Sequence, residues 1–157
     1  MTKNPYAEAL GKTDALTALA DTPKKIARLT AKWNKRQWEK SYAPGKWSAR
    51  HVLIHMAQME LGLTARVRFA LGQKGYVAQP IDQDAWLAAD DHADGPTALA
   101  AYLALRRLNL ALFKGLSPAQ RQRTFTHPEY GGLTAMWVAE QLAGHDLHHL
   151  KQLRQIR

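Results

Sequence analysis

Apolar residues recur at intervals of three and four along four stretches of this chain, and this spacing limits the possible fold more than any other feature. The stretches cover about residues 23–39, 48–71, 97–115 and 134–156. Such spacing places apolar side chains on one face of an α-helix, and that face must pack against another element. No stretch alternates apolar and polar residues for long enough to predict a strand. Four amphipathic helices predict an all-α fold, a four-helix bundle.

Capping residues and prolines mark where the four helices begin. Residues 21–23, Asp-Thr-Pro, predict the start of the first helix, because proline is favoured at the first helical position. A short helical patch from Asp14 to Ala20 precedes this start. Ser48, Thr97 and Thr134 are the predicted N-caps of the other three helices.

A long connection separates the second helix from the third. Residues 72–95 contain no long amphipathic stretch, although a short helical turn is predicted around Trp86. A connection of this length allows the third helix to start at either end of the bundle. Residues 117–120 predict another brief helical turn, and residues 127–132 predict a tight loop before the last helix. We expect residues 1–157 to form a single domain.

The composition excludes several kinds of chemistry. The chain has no cysteine, which rules out disulfides, cysteine-ligated zinc and a nucleophilic thiol of its own. It contains no apolar run long enough to span a bilayer, and no signal peptide follows its first residues. We therefore expect a cytoplasmic protein without a membrane partner.

The net charge of +9 permits binding to nucleic acid or to other anions. The charge is unevenly spread, with nine lysines and arginines between Lys24 and Arg50 against one acid, Glu39. A basic helix face is usually just solvated, so a nucleic-acid partner is not the interpretation we favour.

Three of the seven histidines fall within five residues near the C-terminus, at positions 145, 148 and 149. On a helix, His145 and His149 lie one turn apart on the apolar side, whereas His148 turns outward. A buried imidazole nitrogen without a partner costs about 1–3 kcal/mol, so a pair on one face suggests a shared partner such as a divalent metal ion. The alternative is a pair of ordinary core or surface histidines.

A third imidazole comes from the second helix. His55 lies at the flank of that helix's apolar stripe, and the interior of a bundle is where helical proteins build metal sites. Three neutral nitrogen ligands with one free position are typical of catalytic zinc, because a structural site closes with a fourth ligand. Imidazole also suits nickel and iron, so the sequence leaves the metal open.

The residues around these histidines resemble the DinB-like superfamily. Residues 44–50, followed by His55, resemble the opening of its second helix. Residues 127–134 resemble the loop before its last helix, and residues 144–153 resemble its closing His-x-x-x-His signature. The resemblance extends over about residues 14–155 and keeps the pieces in the same order.

This resemblance implies an up-down-down-up bundle in which His55, His145 and His149 hold a divalent metal. Zinc or nickel is the metal we expect first, with iron and manganese as alternatives. The superfamily includes S-transferases and isomerases that use low-molecular-weight thiols, and pairing of subunits is common in it. The resemblance therefore implies a small-molecule substrate, a diffusible thiol and a homodimer.

His51 stands one turn before His55 and could make the site a four-histidine one. The resembling proteins usually carry glutamate at this position. Position 51 is three residues after the N-cap Ser48, where glutamate closes a capping box, so helix capping explains the residue without a metal. We therefore exclude His51 from the metal site.

Four other polar residues lie in predicted loops. We expect His92 and His127 at the surface or in local turns. Glu129 and Tyr130 could overlook the open end of the bundle, but we interpret them as loop-packing residues.

Metal-bound imidazoles normally donate their second N–H to an oxygen. Gln58, Gln141, Asp146 and Gln152 are close enough in sequence to serve. No residue stands out as a general base, which weakens the interpretation as a hydrolase. Three functions stay open: a thiol-dependent S-transferase, a non-catalytic metal-binding or stress-response interaction protein, and a metal-dependent hydrolase.

Overall fold

The computed structural model describes residues 3–156. The helices are α1 (Ala7–Leu10), α2 (Ala15–Thr30), α3 (Lys35–Trp38), α4 (Ala49–Gly72), α5 (Gln83–Ala89), α6 (Gly95–Gly115), α7 (Pro118–Arg121) and α8 (Ala135–Leu153). Two short antiparallel strands, β1 (Thr124–His127) and β2 (Gly131–Thr134), precede the last helix. Among the helices of residues 3–156, none combines the length and apolar character required of a membrane span.

Four long helices form the bundle, with α2 and α4 each packed against both α6 and α8. Arg50 at the start of α4 bonds to backbone just before α6, and Arg68 near the end of α4 bonds to Asn109 late in α6. Helices α4 and α6 therefore run parallel. His55, early in α4, contacts His149, late in α8, so these two helices run antiparallel.

Helix α2 runs in the same direction as α8. Ala15, at its start, lies in the half of the core that holds Trp137 from the start of α8. Ile26, near its end, lies in the other half with Leu153 from the end of α8. The chain therefore passes up, down, down and up through the four helices, which confirms the predicted all-α four-helix bundle.

The first helix begins earlier than predicted. Asp14 caps it, with its Oδ1 accepting the N–H of Thr17 at 2.8 Å, and α2 then continues through Pro23 to Thr30. The predicted start at residues 21–23 is wrong, and so is the predicted end near Glu39. The chain leaves the helix after Thr30 and begins the separate helix α3 behind a capping box.

Pro23 is tolerated inside α2 because another group uses the acceptor that it frees. Proline has no N–H, so it cannot bond to the carbonyl of Leu19 four residues earlier. The Arg106 guanidinium of α6 donates to this carbonyl at 3.3 Å inside the bundle. The proline thus provides an acceptor for a buried arginine instead of ending the helix.

The starts of the other long helices are closer to prediction. Ser48 and Thr134 cap α4 and α8 as predicted, each accepting a backbone N–H from three residues later. Asp94, and not Thr97, caps α6, with its Oδ1 accepting the Thr97 N–H at 2.8 Å. The prediction of Thr97 is wrong because this residue supplies the capped N–H and not the capping oxygen.

Residues 124–134 form a β-hairpin where the sequence predicted only a tight loop. Thr124 pairs with Thr134, and His127 pairs with Gly131, which adopts a φ of 68° that favours glycine. Each strand has four residues, which is too short for apolar alternation to be recognised. The predicted turns around Trp86 and at residues 117–120 are present as α5 and α7.

A buried polar network lies at the middle of the bundle. Arg106 of α6 donates to Glu60 of α4 and, at 2.6 Å, to Asp146 of α8. The Tyr102 hydroxyl donates to Asp146 at 2.8 Å, and the Asn109 amide donates to Glu60 at 2.8 Å. Burial lowers the pKa of Arg106, but its acidic neighbours outweigh this and hold the pKa well above its ordinary value.

Gly144 on α8 lies directly against Tyr6 in the N-terminal segment. A Cβ at this position would lie 2.4 Å from the Tyr6 carbonyl oxygen and 2.7 Å from its Cβ. We expect Gly144→Ala to displace Tyr6 and to lower the free energy of unfolding by about 1–3 kcal/mol, despite alanine's higher helix propensity. Gly72→Ala is the control, because no atom lies within 4 Å of its Cβ position. Urea unfolding should show no loss for the control, and equal stability of the two variants would contradict the close contact.

Candidate metal centre

Three imidazole rings meet between α4 and α8. His55 comes from α4, and His145 and His149 come from α8; all three are buried, at 2–5% exposure. The Nε2 atoms of His55 and His145 lie 2.8 Å apart, and those of His145 and His149 lie 3.0 Å apart. One ligand nitrogen from each ring lies within 4.8 Å of the other two. The structure therefore brings the three predicted residues together.

The helices account for this convergence. His145 and His149 are one turn apart on the inward face of α8, while His148 points outward and is exposed, as the helical wheel predicts. His55 faces them from α4. Within residues 3–156, no fourth histidine, aspartate or glutamate joins this group.

Burial keeps the three rings neutral. Desolvation lowers the pKa of His55 to about 4 and that of His149 to about 3. Desolvation also holds the pKa of His145 well below its ordinary value, and the neighbouring His149 and His55 lower it further. A neutral imidazole has one nitrogen with a lone pair, which is the form that binds a metal.

A hydrogen bond sets which nitrogen of His149 carries the proton. The Nδ1–H of His149 donates to Oε1 of Gln152 at 2.7 Å, which leaves the Nε2 lone pair facing the other rings. Gln152 is in turn held by donating to the Tyr42 hydroxyl at 3.2 Å. Of the four candidate partners predicted for the imidazoles, Gln152 is the one that bonds to a ring of the cluster.

The other three candidates have different surroundings. Asp146 bonds to Arg106 and Tyr102, and Gln58 donates to the Trp86 carbonyl and to Asp90. The Oε1 of Gln141 is buried without a hydrogen-bond partner in the described chain. The Nδ1 atoms of His55 and His145 are also buried there without a partner.

The arrangement of the three rings fits a cation better than it fits hydrogen bonding among them. His145 Nε2 faces both other Nε2 atoms, yet it carries either one proton or one lone pair. With the His149 proton on Nδ1, a proton on Nε2 of His55 leaves the lone pairs of His145 and His149 facing each other. A proton on Nε2 of His145 instead points at one neighbour and leaves the lone pair of the other without a donor. A cation would satisfy all three, and ligand nitrogens at zinc, about 2.0–2.1 Å from the ion, lie roughly 3.3 Å apart in a tetrahedral site.

His51 lies outside the cluster. Its Nδ1 is 3.0 Å from the Ser48 hydroxyl, and its Nε2 is 2.7 Å from Oδ1 of Asp91. These three residue types also occur in hydrolytic triads, but Ser48 is the N-cap of α4 and its hydroxyl accepts the His51 backbone N–H. Arg50 bonds to the same Asp91, so the group joins the start of α4 to the loop before α6.

The histidines predicted in loops differ from each other. His92 is exposed, as expected. His127 is 3% exposed, and its ring lies 4.9 Å from that of Tyr130. Of its two predicted positions, the surface is therefore excluded and the local turn is observed. Its Nδ1 accepts the Glu129 N–H at 3.2 Å.

Aromatic rings surround the cluster. The Trp47 ring lies 4.9 Å from that of His55, and the Tyr6 ring meets His145 edge-on at 5.1 Å. Burial raises the pKa of Tyr6, and the nearby Tyr130 raises it further. Neither Tyr6 nor Trp47 was predicted at the site, because single aromatic residues outside the long helices carry no distinguishing spacing.

Comparison with known proteins agrees with this geometry. The sequence model of the DinB superfamily matches residues 18–153, which is most of the chain. The chain belongs to the DinB superfamily. The sequence alone supported this assignment, because the segments that resemble the superfamily, with their histidines, occur in the expected order.

Two similar bacterial proteins share about a quarter of their aligned residues with this chain. The protein OB0782 of Oceanobacillus iheyensis, named as a proposed metal-dependent hydrolase, is 28% identical over 140 residues, which are 88% of this chain and 81% of that protein. YfiT of Bacillus subtilis, with the same proposed activity in its name, is 25% identical over 144 residues, covering 90% and 81%.

Two solved structures share the fold. YfiT from Bacillus subtilis superposes with a TM-score of 0.81 at 23% identity, covering 99% of this chain and 87% of that one, and it is described as having an unusual four-helix bundle topology. A mycothiol-dependent maleylpyruvate isomerase superposes with a TM-score of 0.70 at 13% identity, covering 95% and 60%. Both solved structures thus share the fold of this chain.

Gln152 offers a test of the ligand geometry in this DinB superfamily member. We expect Gln152→Leu to weaken binding of Zn²⁺ by about 10–100-fold, because His149 loses the acceptor that orients its ring. Competition with a chelator of known affinity measures this change. Tyr42→Phe is the control, since it removes a contact of Gln152 and leaves the bond to His149. Equal affinities of Gln152→Leu and wild type would contradict the orienting role.

The depressed pKa values predict how acid affects the metal-free protein. His55 and His149 titrate near 6.5 when unfolded and at about 4 and 3 when folded, so the unfolded chain binds more protons between these limits. Stability is therefore complete above pH 6.5 and is lost as the pH falls. Each pKa unit corresponds to about 1.4 kcal/mol.

Urea unfolding with a chelator present, at pH 7.5 and at pH 5.5, measures this loss. We expect a lower free energy of unfolding at the lower pH. The difference in the free energy of unfolding between the two pH values should be smaller in the His55→Gln/His149→Gln double variant. It should persist in His92→Gln, whose ring is exposed. A flat profile for the wild type would contradict the burial of neutral rings.

Proposed function

We propose that His55, His145 and His149 hold one divalent cation, with zinc or nickel favoured and iron or manganese as alternatives. The observation that supports this most directly is the convergence of three neutral Nε2 atoms, 2.8 and 3.0 Å apart, in which His145 cannot bond to both neighbours. Imidazole nitrogen suits all four metals, so the choice rests on elemental analysis of the purified protein.

We propose that the site is catalytic. Three protein ligands leave a coordination position for a small molecule, whereas a structural zinc site closes with a fourth protein ligand. The absence of a fourth titratable ligand among residues 3–156 supports this interpretation. A purely structural role is also unnecessary here, because α4 and α8 are already held together by the buried Arg106 network.

Among catalytic functions, we favour a thiol-dependent S-transferase that acts on a small electrophile. A bound divalent cation would lower the pKa of a thiol or of a water molecule at the free position. The chain has no cysteine, so the thiol is a diffusible, low-molecular-weight one. A free thiol loses its proton at a pKa near 8.5, far below that of water, and so needs less help from a general base.

The surroundings of the rings support the thiol interpretation. Asp146 is the residue next to His145, but its carboxylate is engaged by Arg106 and Tyr102 and is unavailable as a base. The residues of the chain instead keep the rings neutral, orient His149 through Gln152 and cover His55 and His145 with aromatic side chains. The fold is shared with an isomerase that its name describes as mycothiol-dependent.

A metal-dependent hydrolase is the second candidate, favoured by the names of the relatives from Oceanobacillus and Bacillus. It requires the cation to make water nucleophilic without help from the adjacent Asp146, whose carboxylate is engaged by Arg106 and Tyr102. The third alternative is a metal-binding or stress-response interaction protein without turnover.

One assay separates these functions. Zinc- and nickel-loaded protein is given small thiols with a chloro-aromatic or epoxide acceptor, and in parallel an ester without thiol. Thioether formation that requires both thiol and metal supports the transferase, and ester cleavage without thiol supports the hydrolase. His145→Ala and chelator-treated protein are the controls. Absence of turnover in every metal form would contradict both enzymes and favour the binding protein.

We also propose that the chain pairs as a homodimer, which rests on the resemblance to the superfamily alone. Light scattering of the purified protein gives the mass. A mass of 17.6 kDa, that of one chain, would contradict pairing.

A further inference from the structure

A small cavity lies one helical turn from the histidine cluster. Met59, one turn after His55 on α4, and Gln141, one turn before His145 on α8, both line it. Because α4 and α8 run antiparallel, Met59 and Gln141 are both displaced from the histidines in the same direction, towards the β-hairpin. The cavity therefore begins about 5.4 Å beyond the three rings, the rise of one turn. Its volume of 110 Å³ is far above the roughly 10–15 Å³ that one water needs.

Tyr6 links the cavity to the cluster in a second way. Its ring lies edge-on against His145, and its phenol lies close enough to that of Tyr130 to be affected by it electrostatically. Tyr130 is one of the cavity's lining residues. A molecule in the cavity would thus lie beside Tyr130, which is near Tyr6, and Tyr6 in turn contacts a proposed metal ligand.

Arg66 is the cation of this cavity. It is 7% exposed, and one N–H of its guanidinium donates to the Gln79 carbonyl at 2.5 Å. A guanidinium has five N–H donors, and no carboxylate of residues 3–156 lies within ion-pair distance of it. A buried arginine without an ionic partner is costly, and this favours an anion that arrives from outside.

Helix geometry favours a direction of the Arg66 side chain towards the histidines. Arg66 lies two turns beyond Met59 on α4, and helical side chains point back towards the N-terminus, which here is the direction of His55. The neighbouring Glu129 is exposed, so water screens its charge more than that of the buried Arg66.

We propose that this cavity binds a carboxylate group of the substrate or of the thiol, with Arg66 as the residue that recognises it, while the reacting end reaches the three histidines. The link to the reacting end rests on the proposed function; the carboxylate site does not. Arginine binds a carboxylate through two parallel N–H bonds. A dianionic phosphate fits less well, because Glu129 lies near and a single arginine would have to balance two charges.

The test of the carboxylate site is titration with butyrate and with butyramide, which have the same shape and differ in charge. Isothermal titration measures both affinities in the metal-free protein. We expect butyrate to bind at least tenfold more tightly than butyramide, and this preference to disappear in Arg66→Gln. Arg68→Gln is the matched control, because it removes the same charge from a neighbouring arginine that does not line the cavity. Equal affinities in the wild type, or a preference retained in Arg66→Gln, would overturn the proposal.

A surface variant guards against misfolding of Arg66→Gln, which also loses the bond to Gln79. Glu129→Gln leaves Arg66 intact and removes a nearby negative charge. We expect it to bind butyrate about two- to fivefold more tightly than the wild type, without a change for butyramide. Unchanged or weaker butyrate binding in this variant would count against a carboxylate beside Arg66. Inorganic phosphate binding more tightly than butyrate would overturn the assignment of the anion.

The connection to the histidines has its own measurement. In the cobalt-substituted protein, the sulfur-to-cobalt absorption band is titrated with 6-mercaptohexanoate and with 6-mercaptohexanamide. We expect the acid to reach half-saturation at a concentration at least tenfold lower, and Arg66→Gln to remove the difference. Equal half-saturation in the wild type would break the link between the two sites. The thiol function would be refuted if no such band appeared while butyrate still bound the wild type more tightly than Arg66→Gln. The carboxylate site would then still be supported.

Discussion

Replacing His145 by alanine should abolish stoichiometric metal binding, with affinity for Zn²⁺ reduced by more than about a hundredfold. His145 is the central ring, since its Nε2 contacts those of both His55 and His149. Loss of a residue that only orients a ligand costs about 10–100-fold in affinity, so loss of the central ligand should cost more. Elemental analysis after dialysis against limiting zinc measures the stoichiometry.

The same variant should lose the stabilisation that metal gives. A ligand present at 100 times its Kd stabilises the folded state by about 2.7 kcal/mol, which for a chain of this length raises the Tm by roughly 5–10 °C. Because His145→Ala also leaves a cavity, the Tm with and without zinc must be compared within each variant. We expect the zinc-dependent increase in the wild type and none in His145→Ala.

Two histidines serve as matched controls. His148 lies three residues along α8 and is exposed, and His51 lies one turn before His55 and is engaged by Asp91. His148→Ala and His51→Ala should keep full zinc stoichiometry and the zinc-dependent rise in Tm. A loss in His51→Ala as large as that in His145→Ala would mean that the site is not the three-histidine one.

The histidine cluster was predictable because local periodicity determines most of it. The i, i+4 spacing of His145 and His149 places both on one face of any helix, and the apolar neighbours determine that this face is buried. The position of His55 opposite them needs the direction of two helices. Spacing alone left that open, and the resemblance to the DinB-like superfamily supplied it.

The cavity beside the cluster was not predicted, for a physical reason. Arg66 stands among the apolar residues of α4, next to Val67 and three residues after Leu63, and this position on the buried face was the available signal. Its partner surfaces come from the hairpin, whose strands are too short to show alternation. The burial of His127 was not predicted, because the sequence does not reveal which side of a four-residue strand faces the bundle.

The start of the first long helix was also mispredicted, because it depends on a contact with another helix. Pro23 marks a helix start whenever its local sequence is considered alone. The residue that makes an interior proline acceptable, Arg106, lies on another helix and donates to the carbonyl that the proline leaves without an N–H. A helix boundary was thus decided by a contact between residues far apart in sequence, which no local pattern contains.

Arg106→Met should be strongly destabilising, more so than a substitution of any exposed arginine. Arg106 is 2% exposed and bonds to Glu60, Asp146 and the Leu19 carbonyl, so its loss leaves two buried carboxylates without a counter-ion. Removing one partner of a buried ionic group costs about 3–5 kcal/mol. We expect a Tm lower by about 10 °C or more in thermal unfolding followed by circular dichroism.

A substitution of the neighbouring Arg107 distinguishes the effect of losing a buried charge from that of changing the net charge. Arg107→Met makes the same change at an exposed position and should alter the Tm by less than about 2 °C. Adding Glu60→Gln and Asp146→Asn to Arg106→Met should recover part of the lost stability, because both uncompensated charges are then gone. Failure of this triple variant to recover any stability would show that lost packing, and not charge, sets the cost.

The pH dependence of Arg106→Met provides the last discriminating measurement. Burial raises the pKa of Asp146, and Arg106 is the neighbour that most opposes this rise. Without the arginine, the folded-state pKa of Asp146 should rise further above its unfolded value, so protonation stabilises the folded variant as the pH falls. The stability difference between wild type and Arg106→Met should therefore be smaller at pH 5.5 than at pH 8. A difference that stays constant over this range would mean that the carboxylates of the variant have found other donors, which would make Arg106 a packing residue and not the counter-ion of the bundle.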